Sequence, residues 1–324
     1  MNYYAGIDLG GTFIKCGLVD ETGNIICKDK IPTGKERPYR EIAADMANLV
    51  FALADRAQIG RQDVKAVGIG APGAIDSKNG VIVYSNNICW KNVPLCREVS
   101  AAVGLPAYIT NDANAAALGE HFCGAGKKYS STIFVTLGTG VGGGIVIDGK
   151  LFEGNKSAGA EIGHEVIRFG GEKCTCGRRG CFEAYASATA LIAQTRRAML
   201  KDRDSALWKL CGGELERVDG KTAFDGMRAG DKCGERVVKR YIGYLAEGIT
   251  NLANVFRPEA ILLGGGVCAE GDNLLKPLKR KVHRLLYGGT KYAPVEIAVA
   301  SLGNDAGLCG AARLAMVKSA EWKR

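Results

Sequence analysis

Four side chains, His164, Cys174, Cys176 and Cys181, stand in one short run of this sequence. The run reads Glu161-Ile162-Gly163-His164, then Cys174-Thr175-Cys176-Gly177-Arg178-Arg179-Gly180-Cys181-Phe182-Glu183. Imidazole nitrogen and thiolate sulfur are the donors of a tetrahedral zinc site. One ion held by all four would close this stretch into a loop, not a helix or a strand. Gly177 and Gly180 suit the tight turns that such a loop needs. The Cys-x-Cys-x4-Cys order departs from the paired Cys-x2-Cys of common fingers, so a nucleic-acid finger fits poorly. Four protein ligands leave no open coordination position, so the metal is expected to be structural. Glu161 and Glu183 interleave with the ligands. The folded loop is therefore expected to present carboxylates to a small, hydroxyl-rich substrate.

The rest of the chain supplies the frame for this loop. Tyr3 to Val19 reads as strand, glycine turn, strand, with Asp8, Gly10, Gly11, Thr12 and Lys15 around the turn. Glycines let backbone N–H groups approach a phosphate, Thr12 adds a hydroxyl, Lys15 a charge, and Asp8 an oxygen for Mg2+. Taken alone, this is equally a plain hairpin. The pattern returns over Thr132 to Gly149, with Gly138, Thr139 and Gly140 at the turn. Leu9-Gly10 aligns with Leu137-Gly138, and Asp20 with Asp148, at one offset of 128 residues. Two related halves follow, each opening with a phosphate-facing hairpin. Apolar periodicity predicts helices over Tyr39–Ile59, Leu95–Val103, Ala113–Cys123, Ala188–Leu200, Gly234–Val255 and Ala306–Lys318. Strands are predicted at Val64–Gly73, Pro106–Thr110, Pro258–Val267 and Val295–Ala300. Gly264, Gly265 and Gly266 end the third of these, where an adenine can lie against backbone, although a turn without a ligand is equally consistent. Alternating strands and helices give an α/β class, whose chemistry gathers at the carboxyl ends of strands. Asn111 and Asp112 sit at such an end. The polar segment from Asp202 to Asp219 says nothing about function.

Composition narrows the setting. Twelve cysteines are mostly scattered singly among apolar neighbours, which fits reduced thiols plus one metal cluster better than a disulfide framework. There is no basic and apolar leader before Tyr3 and no run long enough to span a bilayer, so a cytoplasmic protein without membrane contact is expected. Much of the net charge of +9 falls within Lys276–Arg284. Leucines at helical spacing make that segment a solvated helix face in preference to a nucleic-acid patch.

In this order the parts resemble the ROK family of sugar kinases and repressors, within the actin-like ATPase superfamily. Asp8-Leu9-Gly10-Gly11-Thr12, Ala71-Pro72-Gly73, Asn87-Ile88-Cys89-Trp90 and Asn111-Asp112 carry the first part of the resemblance. The Gly138 to Gly144 turn, Glu-Ile-Gly-His, the cysteine cluster ending at Glu183 and Gly264-Gly265-Gly266 carry the rest. The resemblance implies two ribonuclease-H-like lobes around a central cleft, with a small zinc-binding loop. The lobes are expected at residues 1–115, closed by a C-terminal helix at 305–324, and at 116–304. It implies an ATP-dependent hexose kinase, most like a bacterial glucokinase, with Asp112 as general base. Gly73, Asn87, Asn111, Asp112, Glu161, His164 and Glu183 become sugar contacts, and His164 also a zinc ligand through its other ring nitrogen. ATP, Mg2+ and structural Zn2+ are the expected cofactors, and a homodimer the expected assembly. A kinase for N-acetylmannosamine, fructose or allose is the alternative. A sugar-responsive repressor of the family fits less well, because those carry a helix-turn-helix module ahead of the first lobe and this chain opens its first strand at Tyr3.

Overall fold

The computed structural model describes residues 1–321. The strands β1 (Tyr3–Leu9), β2 (Phe13–Asp20) and β3 (Ile25–Pro32) form an antiparallel meander, followed by helix α1 (Tyr39–Arg56). Next come β4 (Val64–Ala71), three short strands β5 (Ala74–Asp76), β6 (Val81–Ser85) and β7 (Trp90–Val93), and α2 (Leu95–Val103). Then follow β8 (Ala107–Asn111), α3 (Asp112–Cys123), β9 (Thr132–Leu137), β10 (Val141–Ile147) and β11 (Lys150–Phe152). The segment carrying His164 and the three clustered cysteines leads into α4 (Glu183–Ala186), α5 (Ala188–Lys201), α6 (Leu207–Leu210), α7 (Thr222–Arg228) and α8 (Lys232–Phe256). The chain closes with β12 (Ala260–Gly264), α9 (Asp272–Leu285), β13 (Glu296–Val299) and α10 (Ala306–Glu321).

The repeat legible in the sequence is also present in the sheets. One sheet runs β3-β2-β1-β4-β8 and another β11-β10-β9-β12-β13. In each, a hairpin opens the sheet and two later strands add on its other side, parallel where β1 meets β4, β4 meets β8 and β12 meets β13. The strands β5, β6 and β7 form a third, antiparallel sheet.

Two compact units divide the chain. One comprises Met1–Phe134, Gly144–Ala160 and Ala300–Arg324, the other Val135–Gly143 and Glu161–Val299. The expected boundary at residue 115 would have cut α3 and left β11 in the second half, whereas both fall in the first unit. The reason is local: α3 packs along α10, and α10 packs on β1 and β4. That seating depends on glycine. A Cβ on Gly6 would stand 1.9 Å from the Leu308 carbonyl oxygen, and one on Gly68 1.8 Å from that of Ala311. Residues 322–324 of the expected closing helix lie outside the described residues.

In the first unit, Ile7, Leu9, Ile14 and Leu18 bury against the α1 face made by Ile42, Met46, Val50 and Leu53. In the second, α8 is the central post, with Tyr241, Leu245 and Ile249 fully buried. Gly248 lets the ring of Phe182 lie against α8, since a Cβ there would come within 2.5 Å of it. The Tyr241 hydroxyl donates to the Ala186 carbonyl at 2.7 Å. Together these fix Phe182, between Cys181 and Glu183, and Ala186 at the end of α4. The polar segment after α5 is ordered by a small core of Met199, Leu207, Cys211, Val218 and Cys233. The basic segment is part of α9, where Leu274, Leu278 and Val282 are buried and the cations lie on the remaining faces. None of the described helices is long and apolar enough to cross a membrane.

Candidate active site

In the first unit, β8 delivers Asn111 and Asp112 to the start of α3. Asn111 is the helix cap: its side-chain oxygen accepts from the backbone N–H of Ala113 at 2.8 Å and Asn114 at 3.4 Å. Two otherwise unpaired helix N–H groups are thereby satisfied. The Asn111 amide then donates to the Gly73 carbonyl at 3.3 Å. Gly73 itself has φ +107, and a Cβ would meet the Tyr84 carbonyl oxygen at 2.2 Å, so only glycine fits. Asp112 is exposed at the first helical position and accepts from the Ala113 N–H at 2.8 Å. Asn87 is exposed in the β6–β7 turn, and its backbone backs onto Gly11, whose Cβ would lie 3.0 Å from the Asn87 oxygen. The β1–β2 turn closes with Gly10 N–H donating to the Phe13 carbonyl at 2.9 Å. Lys15 Nζ lies 3.0 Å from Asp8 Oδ2, so the cation and the carboxylate assigned to nucleotide and Mg2+ pair with each other here.

The second unit gathers more. The ligand atoms of His164, Cys174, Cys176 and Cys181 all lie within 4.8 Å of one another. Cys176 Sγ is 3.7 Å from Cys181 Sγ, and Cys174 Sγ is 3.7 Å from His164 Nδ1. Ligands on a tetrahedral ion with bonds near 2.3 Å would stand about 3.8 Å apart, so the set fits one zinc. Glu183 ties this cluster to the β9–β10 turn. Its Oε2 accepts from the Val141 N–H at 3.1 Å and its Oε1 from Thr175 Oγ1 at 3.0 Å. The turn itself is held by Gly138 N–H donating to the Gly140 carbonyl at 3.0 Å, and by Thr189 Oγ1 donating to the Thr139 carbonyl at 2.8 Å. The glycine run after β12 meets it: a Cβ on Gly265, φ +91, would stand 2.4 Å from the Leu137 carbonyl oxygen. Gly138, Gly140, Gly264 to Gly266, Glu183, His164, Cys174, Cys176 and Cys181 thus form one neighbourhood. Glu161 is exposed, and its carbonyl accepts from the His164 N–H at 3.0 Å.

The thiols differ in acidity before any metal binds. Burial pushes the Cys181 thiol up to about 12. The backbone N–H of Arg178, followed by the neighbouring thiols, holds Cys176 below its ordinary value. A bound cation would draw off the remaining proton, since a coordinated thiol is deprotonated.

Two contacts had no signal in the sequence. Thr175 sits inside the cysteine cluster as a partner for Glu183. Glu153, in the first unit, accepts from Thr110 Oγ1 at 2.8 Å and Ser77 Oγ at 3.2 Å, fixing the strand residue that precedes Asn111. Asp20 and Asp148, which marked the repeat, are turn residues in both halves. Asp20 accepts from Thr22 and Asn24, and Asp148 has φ +49.

Comparison with known proteins gives a consistent picture. The ROK family model matches residues 4–318. A glucokinase of Thermotoga maritima is 38% identical over 313 residues, covering 95% of this chain and 96% of that protein. The crystal structure of a ROK family glucokinase from Streptomyces griseus, in complex with glucose and AMPPNP, superposes with TM-score 0.76 at 37% identity, covering 98% of this chain and 100% of that one. A xylose repressor of Caldicellulosiruptor bescii is 33% identical over 325 residues, covering 97% of this chain and 77% of that protein.

Proposed function

The chain belongs to the ROK family, and on that premise we propose that it transfers the γ-phosphoryl group of ATP to glucose, giving glucose 6-phosphate. The observation that carries the substrate is similarity along the whole chain to a glucokinase solved with glucose and AMPPNP. The chemistry asks for little beyond position and charge. A sugar hydroxyl is a weak nucleophile and needs a base within hydrogen-bond reach as the phosphoryl group arrives. Asp112 is that base. The Asn111 cap and the Ala113 N–H fix where its carboxylate stands. Gly73, Asn87 and Asn111 in the first unit, and Glu161, His164 and Glu183 in the second, are the hexose contacts in this reading. Glucose has hydroxyls to be matched one by one, and an unmatched polar group in a closed site weakens binding heavily. The arrangement can be read as two lobes of ribonuclease-H type, as in the actin-like ATPases.

The glycine turns at Gly10–Gly11 and Gly138–Gly140, with Thr12, Lys15, Thr139 and Gly264–Gly266, would hold the nucleotide through backbone N–H groups and one ammonium. Asp8 offers the single carboxylate that Mg2+ takes alongside phosphate oxygens and water; the bound ion would neutralise phosphate charge. His164, Cys174, Cys176 and Cys181 would hold a structural zinc, which orders the loop and supplies no reaction chemistry. Coordination through Nδ1 leaves His164 Nε2 for a sugar hydroxyl. A homodimer belongs to this reading and a nucleic-acid partner does not.

A coupled assay of ATP turnover across glucose, N-acetylmannosamine, fructose and allose tests the assignment. Glucose is expected to give the highest kcat/KM. Another sugar preferred by about tenfold or more, which is roughly 1.4 kcal/mol of transition-state binding, would reassign the substrate. The xylose repressor relative makes a sugar-responsive regulator the second reading, and absence of turnover with every sugar would favour it.

A further inference from the structure

Beside the metal loop, the second unit carries a cavity of about 380 Å3. None of the residues assigned above to sugar, nucleotide or metal lines it. It lies between α5 and α8, with Tyr185 of α4 on one wall. Five cations line it, Arg168, Arg197, Lys201, Arg236 and Arg240, against two carboxylates. Both carboxylates are already engaged: Arg197 Nη1 lies 2.5 Å from Glu172 Oε1, and Arg236 Nη2 lies 2.8 Å from Asp202 Oδ2. Arg168 spends one N–H on the Tyr244 hydroxyl at 3.3 Å. Among the described residues, Lys201 and Arg240 have no carboxylate partner. The cavity therefore keeps a surplus of positive charge in a concave setting, which focuses attraction for an anion.

A glutamine and two tyrosines complete the lining. Gln194 lines the same cavity, and its Nε2 donates to the Tyr185 carbonyl at 2.9 Å. That contact fixes the amide orientation, because a flipped amide would set two acceptors against each other. The Gln194 Oε1 is closed off inside the protein, so the fixed amide serves as a wall of the cavity. The rings of Tyr185 and Tyr244, 4.5 Å between centroids, give the cavity an aromatic wall.

We propose that this cavity binds a phosphate group, free or carried on a small hydroxyl-bearing metabolite. Guanidinium forks and a lysine ammonium match phosphate oxygens, and the tyrosine rings offer a wall to a sugar face. The site adjoins the proposed sugar-binding loop without sharing a residue with it. Its occupancy can therefore be read without turnover.

Calorimetric titration of the full chain at low ionic strength tests this, with inorganic phosphate and ribose 5-phosphate as the probes. Saturable binding of at least one is expected. The double substitution Lys201→Ala/Arg240→Ala should weaken it by about tenfold or more, as loss of charge-assisted contacts does, while kcat and KM for glucose stay at wild-type values. Tighter binding of the ester would assign a phosphorylated metabolite, and equal binding free phosphate. Phosphate held at the glycine turns would persist in the double variant, so only the component lost there counts. No saturable binding of either probe, or equal binding by wild type and double variant, overturns the proposal.

Discussion

Gly140→Ala should damage the use of glucose, although Gly140 lies in a turn assigned to the nucleotide. Its φ is outside the left-handed range, so the backbone accepts a side chain. The new Cβ, however, would stand 2.3 Å from Glu183 Oε2. The carboxylate sits at the end of a flexible side chain and can swing aside at small steric cost. In doing so it gives up the bond from the Val141 N–H, now 3.1 Å long. A hydrogen bond to a charged group contributes about 1.5–3 kcal/mol, and the half-buried setting of Glu183 argues for the lower part, about 1.5–2 kcal/mol. With roughly 1.4 kcal/mol per factor of ten, kcat/KM for glucose should fall by about 10- to 30-fold. Gly138→Ala is the matched control, because its Cβ would meet nothing within 4 Å. That change should act on the approach of phosphate and raise KM for ATP more than KM for glucose. A glucose 6-phosphate-coupled assay, varying each substrate in turn, separates the two. In a Glu183→Ala background, Gly140→Ala should cost little more, since the displaced group is gone. If Gly140→Ala leaves kcat/KM for glucose within about twofold of wild type, or costs as much with Glu183 absent, the link from the turn to Glu183 is refuted.

Asp112→Asn keeps the shape and removes the base, so kcat should drop by about 10^2- to 10^4-fold while calorimetry shows glucose binding retained; near-normal turnover would reject Asp112 as the base. Cys176→Ser should empty the metal site and lower Tm together, because the loop's four ligands hold their arrangement through the ion; elemental analysis finding no zinc in the wild-type protein would end that reading. Asp20 is buried, which by itself raises its carboxyl, but bonds from Thr22 and Asn24 outweigh this and hold it below its ordinary value. Its stabilisation is therefore present above about pH 4, the unfolded value, and is lost as pH falls through the lower folded value. Asp20→Ala should cost about 1–3 kcal/mol near neutrality, with a deficit in thermal melts that narrows in acid; a deficit independent of pH would contradict this.

Much of the frame was legible because it is local. The helix faces of α1 and α8, the hairpins β1–β2 and β9–β10 and the start of α3 follow from periodicity and turn residues. The 128-residue offset anticipated two related halves, and the two sheets share one strand order because the same short pattern folds the same way twice. The cluster of His164, Cys174, Cys176 and Cys181 was legible for another reason: donor chemistry is written in residue type, and all four side chains fall in one short run. What the sequence could not show are pairings between groups distant along the chain. Nothing in Glu183 or Val141 announces that a carboxylate will receive an N–H 42 residues away. Nor does Gly265 reveal that it abuts Leu137. The short strands β5 and β7 escaped because pairing with β6 holds them extended, whereas the β-branched run Val81-Ile82-Val83 of β6 did carry a strand signal. Residue type and spacing determine which groups can do chemistry, while packing of α8 against Phe182 and of α10 against Gly6 and Gly68 decides which of them stand within bonding distance.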